Sequence, residues 1–212
     1  MNRLITPMTA AFFFVTANAF GVTVIDFRDS SFNPGDSSFF STQLSIDGYE
    51  VSLEVSATPG HIYWDSVDGY GVWGGENDEI DHNELLSLSF TPPLGVNLLI
   101  QQIQITDLFY KSGDFESGYY ALDGGIPTLF VQDNTSAPNG AYTIALTPTA
   151  FNQIVFSANP QASGHEFSVQ GLTLAAVTIA NPEPASIILL SSGLFSFAAW
   201  RLKQRIGKRQ GA

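Results

Sequence analysis

Eight side chains that could ligate a hard cation fall within the 20 residues from Asp65 to Glu84: Asp65, Asp68, Glu76, Asn77, Asp78, Glu79, Asp81 and Glu84. Calcium takes roughly six to eight oxygen ligands, and flexible Asp-rich loops supply them. The spacing is not that of an EF-hand, because no glycine stands at the sixth position and no flanking helices are evident. A second reading stays open beside calcium: an acidic, solvated hairpin in which Asp81 and Glu84 cap turn amides. Four aromatic residues flank the same stretch, Tyr63, Trp64, Tyr70 and Trp73. Rings of this kind present an apolar face and a polar tip, which suits a wet surface where sugars stack and carboxylates accept hydroxyls. The alternative for each ring is a core or loop plug.

Catalytic signals are thin by comparison. Two carboxylates about 5–9 Å apart can hydrolyse a glycosidic bond, but an acid-rich chain offers many such pairs. The three histidines, His61, His82 and His165, stand in no HExxH pattern, and no GxSxG motif accompanies them. The chain has no cysteine, which removes a thiol nucleophile and thiolate metal sites.

The elements that must hold these residues are strands. Tyr49, Val51, Leu53 and Val55 alternate with Glu50, Ser52, Glu54 and Ser56, the period-two pattern of a half-buried strand. Leu86, Leu88 and Phe90, then Ile103 and Ile105, then Ile154 and Phe156, and finally Phe167, Val169, Leu172 and Leu174 continue it. Turn residues separate the runs, as at Asp47-Gly48, Pro92-Pro93 and Asp123-Gly124-Gly125. The expectation is roughly nine to eleven strands in an all-β, antiparallel β-sandwich, jelly-roll-like in topology.

The two ends read differently from the body. Asn2-Arg3, an apolar run over Ala10–Val15 and Ala17-Asn18-Ala19 have the order of a secretory signal peptide, with cleavage expected before Phe20. Signal peptidase and the Sec export machinery are then the expected first partners. At the other end, Pro182-Glu183-Pro184 precedes the 16 uncharged residues Ala185–Trp200, and Arg201, Lys203, Arg205, Lys208 and Arg209 follow. As a helix that uncharged run spans about 24 Å at ~1.5 Å per residue. This is slightly short of a full bilayer crossing unless the flanking bases snorkel. The basic end favours a cytoplasmic C-terminus. The expected division is a signal peptide over 1–19, a passenger domain over 20–180 and a sorting signal with a single transmembrane helix over 181–212.

The order Pro-Glu-Pro, apolar helix and basic tail resembles the PEP-CTERM sorting signal of Gram-negative bacteria. Within the body, Gly69-Tyr70-Gly71-Val72, Asn77-Asp78-Glu79-Ile80-Asp81 and Glu84, followed by Leu86, Leu88 and Phe90, resemble a motif of PEP-CTERM passenger domains: a Gly-rich turn, an acidic run and an apolar strand. The resemblance implies processing by an exosortase transpeptidase at Pro182, Glu183 and Pro184. It implies an inner-membrane precursor with a periplasmic body, then release to the cell surface, outer membrane or extracellular matrix. It also implies association with exopolysaccharide and biofilm, without fixing an activity.

Charge narrows the partners. Nineteen of the 20 acids but only Arg28 and Lys111 of the eight bases lie in 20–180, so that segment carries 2 − 19 = −17, counting histidine as neutral. A surface of this sign repels phosphate backbones and excludes nucleic acid as a natural partner. It repels anionic polysaccharide too, unless a divalent cation bridges them. The expected function is therefore a non-catalytic, surface-sorted matrix protein, with calcium-assisted glycan binding at the residues named above. A matrix-acting glycoside hydrolase or lyase and a purely structural envelope protein are the alternatives.

Overall fold

The computed structural model describes residues 21–74, 78–111, 113–161, 164–179 and 197. The expected signal peptide, with Ala17, Ala19 and Phe20 at its cleavage site, lies outside the described residues, as do Glu76 and Asn77. So does the expected sorting signal with Pro182, Glu183 and Pro184, Phe197 apart. Among the described residues no helix is long and apolar enough to cross a membrane.

Among the described residues fourteen strands follow one another: β1 (Thr23–Asp26), β2 (Phe39–Ile46), β3 (Tyr49–Thr58), β4 (His61–Asp65), β5 (Gly69–Trp73), β6 (Leu85–Thr91), β7 (Val96–Thr106), β8 (Tyr110–Lys111), β9 (Asp114–Phe115), β10 (Ser117–Leu122), β11 (Thr128–Val131), β12 (Tyr142–Phe151), β13 (Gln153–Ala158) and β14 (Ser168–Thr178). The number exceeds the expected nine to eleven partly because β8 and β9 are two-residue strands. One six-stranded sheet runs β12-β7-β14-β5-β4 with β1 also on β14, and the other runs β11-β10-β13-β6-β3-β2. Every pairing is antiparallel. The domain is all-β and sandwich-like.

The period-two runs bury the residues they should. Leu53, Val55, Leu86, Leu88, Ile154 and Phe156 of the second sheet are inaccessible to solvent, as are Ile100, Ile103, Ile105, Leu172 and Leu174 of the first. They form one continuous apolar core, and each such side chain contributes on the order of 1.5–3 kcal/mol by leaving water. Asp47-Gly48 makes the two-residue β2–β3 turn, with φ of 50° and 83° between the partners Ile46 and Tyr49. Positive φ at both positions is what a type I′ hairpin turn requires.

The Gly-rich segment 69–72 is not the expected turn. It is strand β5, paired with β4 along its length. Gly71 is there because the chain crosses directly over it: a Cβ at that position would collide with the Asp78 carbonyl oxygen. Val72 N–H donates to the Glu79 carbonyl at 3.4 Å, and Ile80 N–H to the Phe167 carbonyl at 2.8 Å. These bonds seat the acidic run 78–80 against the sheet instead of leaving it in solvent. Between Val169 and Gly171 the β14 ladder slips by one residue against β7. The resulting bulge at Gln170 lies where β1 stops and β5 begins.

Candidate functional site: an anionic end of the first sheet

Strand alternation divides the four aromatic candidates. Trp64 pairs with Tyr70 across β4 and β5, whereas Tyr63 pairs with Gly71 and Trp73 with His61. Cross-strand partners share a face, so Trp64 and Tyr70 point inward. Tyr70 is fully buried, donates its hydroxyl to the Phe32 carbonyl at 2.7 Å and packs 4.9 Å from the Phe27 ring. Burial pushes its phenol pKa well above the ordinary tyrosine range. Trp64 is half-buried against the core and donates its indole N–H to the Phe27 carbonyl at 2.6 Å. Tyr70 therefore cannot stack on a glycan, and Trp64 is held as a structural plug, contrary to the expectation for both. Tyr63 is half-buried on the outer face beside Asp78, and Trp73, at 59% exposure, is the one fully presented ring of the four.

The acidic candidates separate as well. Asp65 caps the β4–β5 turn, its Oδ1 accepting from the N–H groups of Val67 and Asp68 at 2.7 Å each. Asp81 and Glu84 close a turn on each other. Asp81 N–H donates to Glu84 Oε2 at 2.9 Å, Glu84 N–H donates to the Asp81 carbonyl at 3.1 Å, and Glu84 is 3% exposed. These two side chains serve the turn, the alternative role the sequence left open for them.

Asp68, Asp78 and Glu79 instead meet two acids that sequence proximity did not flag, Asp107 and Glu166. The sheet register is the cause. Thr106, at the end of β7, pairs with Ser168, at the start of β14, so the residues flanking these strands, Asp107 and Glu166, arrive at the same end. Thr106 Oγ1 also donates to the Asp68 carbonyl at 2.9 Å, which draws the β4–β5 turn onto that end.

Three of these carboxyls, on Asp68, Asp107 and Glu79, are destabilised as anions. Burial, and then the charge of Asp65, raise the Asp68 pKa against the opposing hydrogen bond with Asp107. Burial and the Asp68 charge push Asp107 up to about 7. Burial and the Glu166 charge push Glu79 up to about 8. Arg28 lowers the Asp68 pKa from one side, and Lys111 is a second cation on this end. Its ammonium lies 2.7 Å from Glu166 Oε1 and 2.9 Å from Glu116 Oε1. Burial works against its charge, but these two bonds outweigh that and hold its pKa above the ordinary lysine range. Among the described residues no three His, Asp or Glu side chains converge tightly enough to hold a metal ion alone.

A serine, a histidine and an aspartate also line up nearby. Ser117 Oγ is 3.0 Å from His165 Nδ1, and His165 Nε2 is 3.8 Å from Asp114 Oδ2. The lone pair on Nδ1 is already met by the Ser117 backbone N–H at 3.1 Å. Ser117 is 4% exposed, and its hydroxyl also accepts from Asn159 Nδ2 at 3.0 Å. A serine nucleophile needs an imidazole free to take its proton and a path for the substrate. This array supplies a buried polar tie between β10 and the approach to β14.

Fold and site together define a sandwich-like all-β domain with a crowded anionic end, and with the exposed Trp73 at the opposite end of the β4–β5 hairpin from Asp68. Compared with known proteins, the chain matches no family model, no curated protein and no solved structure.

Proposed function

We propose that this chain is an exported PEP-CTERM-type protein, processed by an exosortase, whose domain serves without catalysis in an extracellular polysaccharide matrix and takes calcium at its anionic end. One observation carries the domain's role: Asp68, Asp107 and Glu79 are half-buried, and their carboxyls press on one another and on Glu166. A divalent cation relieves that repulsion and restores the ionised forms, because a bound ion inverts the local pKa logic. The cluster does not close a coordination shell by itself. The remaining oxygens come from the polysaccharide, whose own carboxylates and hydroxyls suit calcium. Calcium thereby joins an anionic domain to a matrix that would otherwise repel it.

Supporting the sorting half are the Pro182-Glu183-Pro184 motif, the uncharged run and the five bases that follow. Supporting the absence of catalysis is the engaged state of His165 and Ser117. The jelly-roll reading draws on the path of the chain, which changes sheet at each step from β12 to β13 to β14. A glycoside hydrolase is the second reading, favoured by Glu79 at about 8, since a carboxylic acid that stays protonated near neutral pH is what a general acid needs.

Equilibrium dialysis with radioactive calcium tests the primary reading. The wild-type chain should take up about one ion with a dissociation constant on the order of 10⁻⁴–10⁻³ M, the range of extracellular calcium modules. Asp68→Asn with Asp107→Asn should weaken it at least tenfold. No uptake by the wild type, or uptake indifferent to the double substitution, sinks the assignment. Release of reducing sugar from a matrix polysaccharide, abolished by Glu79→Gln, would replace it with the hydrolase.

A further inference from the structure

Beside the anionic end, the outer face of the first sheet carries a small cleft of about 210 Å³ lined by Val24, Asp26, Arg28, Gln104, Gln170 and Gly171. Three features of the backbone make it. The bulge at Gln170 re-aims that side chain, as bulges do. Gly171 leaves the floor bare, since a Cβ there would collide with the Ile25 carbonyl oxygen and sit 3.1 Å from Gln104 Oε1. The end of β1, where Asp26 pairs with Gly171, supplies one wall, and Gln104 of β7, the other partner of Gly171, supplies the opposite one.

The chemistry of the walls is planar and neutral. Arg28 donates from Nε to Asp26 Oδ1 at 2.8 Å and from Nη2 to Asp26 Oδ2 at 2.6 Å. With its amide oxygen toward Arg28, Gln170 accepts from Nη1 at 2.6 Å. A guanidinium has more N–H donors than these bonds consume, and the pair is open to solvent at 39% and 45% side-chain exposure. Across the floor, Gln104 Nε2 donates to Thr173 Oγ1 at 3.0 Å, while Gln104 Oε1 is buried with no donor among the described residues. The cleft thus presents spare guanidinium donors and the Asp26 carboxylate in fixed directions, and the exposed Val24, at 64%, forms an apolar lip.

We infer that this cleft is a binding site for a neutral sugar unit of a polysaccharide. Vicinal hydroxyls both donate and accept, so one ring can satisfy the guanidinium, the carboxylate and the amides together, with its C–H face on Val24. An anion gains little, because Asp26 already neutralises Arg28 and Asp68 adds its charge nearby. The volume lies below the roughly 300–1,000 Å³ of drug-sized pockets, which suits a single ring of a longer chain. The inference rests on the glycan half of the function proposed above and on none of its calcium half.

Titration calorimetry on the full chain in detergent, with EDTA present, tests it. The probes are cellohexaose, laminarihexaose and mannohexaose. At least one should bind, and Gln170→Ala and Arg28→Ala should each weaken that binding at least tenfold without moving the melting temperature by more than a few degrees. Trp73→Ala should leave it unchanged. Binding that persists in both cleft variants but disappears in Trp73→Ala overturns the cleft and keeps the glycan reading. No binding of any of the three overturns both. Calcium uptake, measured separately, stands or falls by itself.

Discussion

Asp68 and Asp107 press carboxyl against carboxyl, although one ends the β4–β5 turn and the other follows β7. Such a contact is favourable only while one of the two carries a proton, since like charges that close cannot both ionise without cost. The pair joins the pH response of the domain to its proposed response to calcium.

Without calcium, the metal-free domain should lose stability as pH rises from about 4 to about 8. Asp107 and Glu79 have folded-state pKa values of about 7 and about 8 against ordinary values of 3.8 and 4.5. The native state therefore binds more protons than the unfolded state in that window, and linkage makes stability fall with pH. Asp107→Asn should flatten the upper part of the curve and stabilise the protein at pH 8 by on the order of 1 kcal/mol. Thermal melts across pH in EDTA read this out, and a melting temperature that climbs from pH 5 to pH 8 contradicts it.

Calcium should reverse that trend. At about 100 times its dissociation constant a ligand adds about 2.7 kcal/mol, which for a domain of this size is roughly 5–10 °C. The increment should be larger at pH 8 than at pH 5, where protons compete for the same oxygens. Identical melts in calcium and EDTA at both pH values leave the anionic end without an ion.

Two tryptophans should respond in opposite ways. Trp64→Ala removes a plug from the core side of β4 and leaves the Phe27 carbonyl without its donor, a loss of about 2–4 kcal/mol. Trp73→Ala removes a ring that is 59% exposed and should stay within about 0.5 kcal/mol of wild type. Urea titrations of the two variants decide it, and equal losses would mean that the β4–β5 hairpin has a different facing.

Tyr70→Phe keeps the ring and removes only the hydroxyl bonded to the Phe32 carbonyl. The cost should be about 1–3 kcal/mol, because a buried acceptor loses its partner, and sugar binding should be unaffected. A variant with full stability but lost glycan binding would return Tyr70 to the surface.

Alanines at Pro182, Glu183 and Pro184 should leave an unprocessed precursor in the inner membrane, detected as a larger band in membrane fractions of a host with an exosortase. Wild-type processing of that variant contradicts the sorting assignment.

Much of the domain was legible before any coordinates. The alternation from Tyr49 to Ser56 gave β3 its buried face, and Asp47-Gly48 marked the hairpin that precedes it. Both are local, since side chains alternate along any strand and a type I′ turn selects for residues that tolerate positive φ. The segment around Gly71 misled for the same reason. A glycine that marks a turn and a glycine that lets another strand of chain pass over it look alike in one dimension.

By itself, the sequence determined the all-β class, the anionic balance of the body and the three-part order of the tail, because composition, period and local order are properties of neighbours in the chain. Only the tertiary structure decided which acids meet. Asp81 and Glu84 stand close to Asp78 in sequence yet close a turn on each other, while Asp107 and Glu166 come from distant segments to join Asp68 and Glu79. Only the structure, again, sent Trp64 and Tyr70 inward and left Trp73 outside. Sheet register and bulges set those encounters, and a register is the outcome of packing the whole core. One residue of slip would turn every side chain of the strand to its other face.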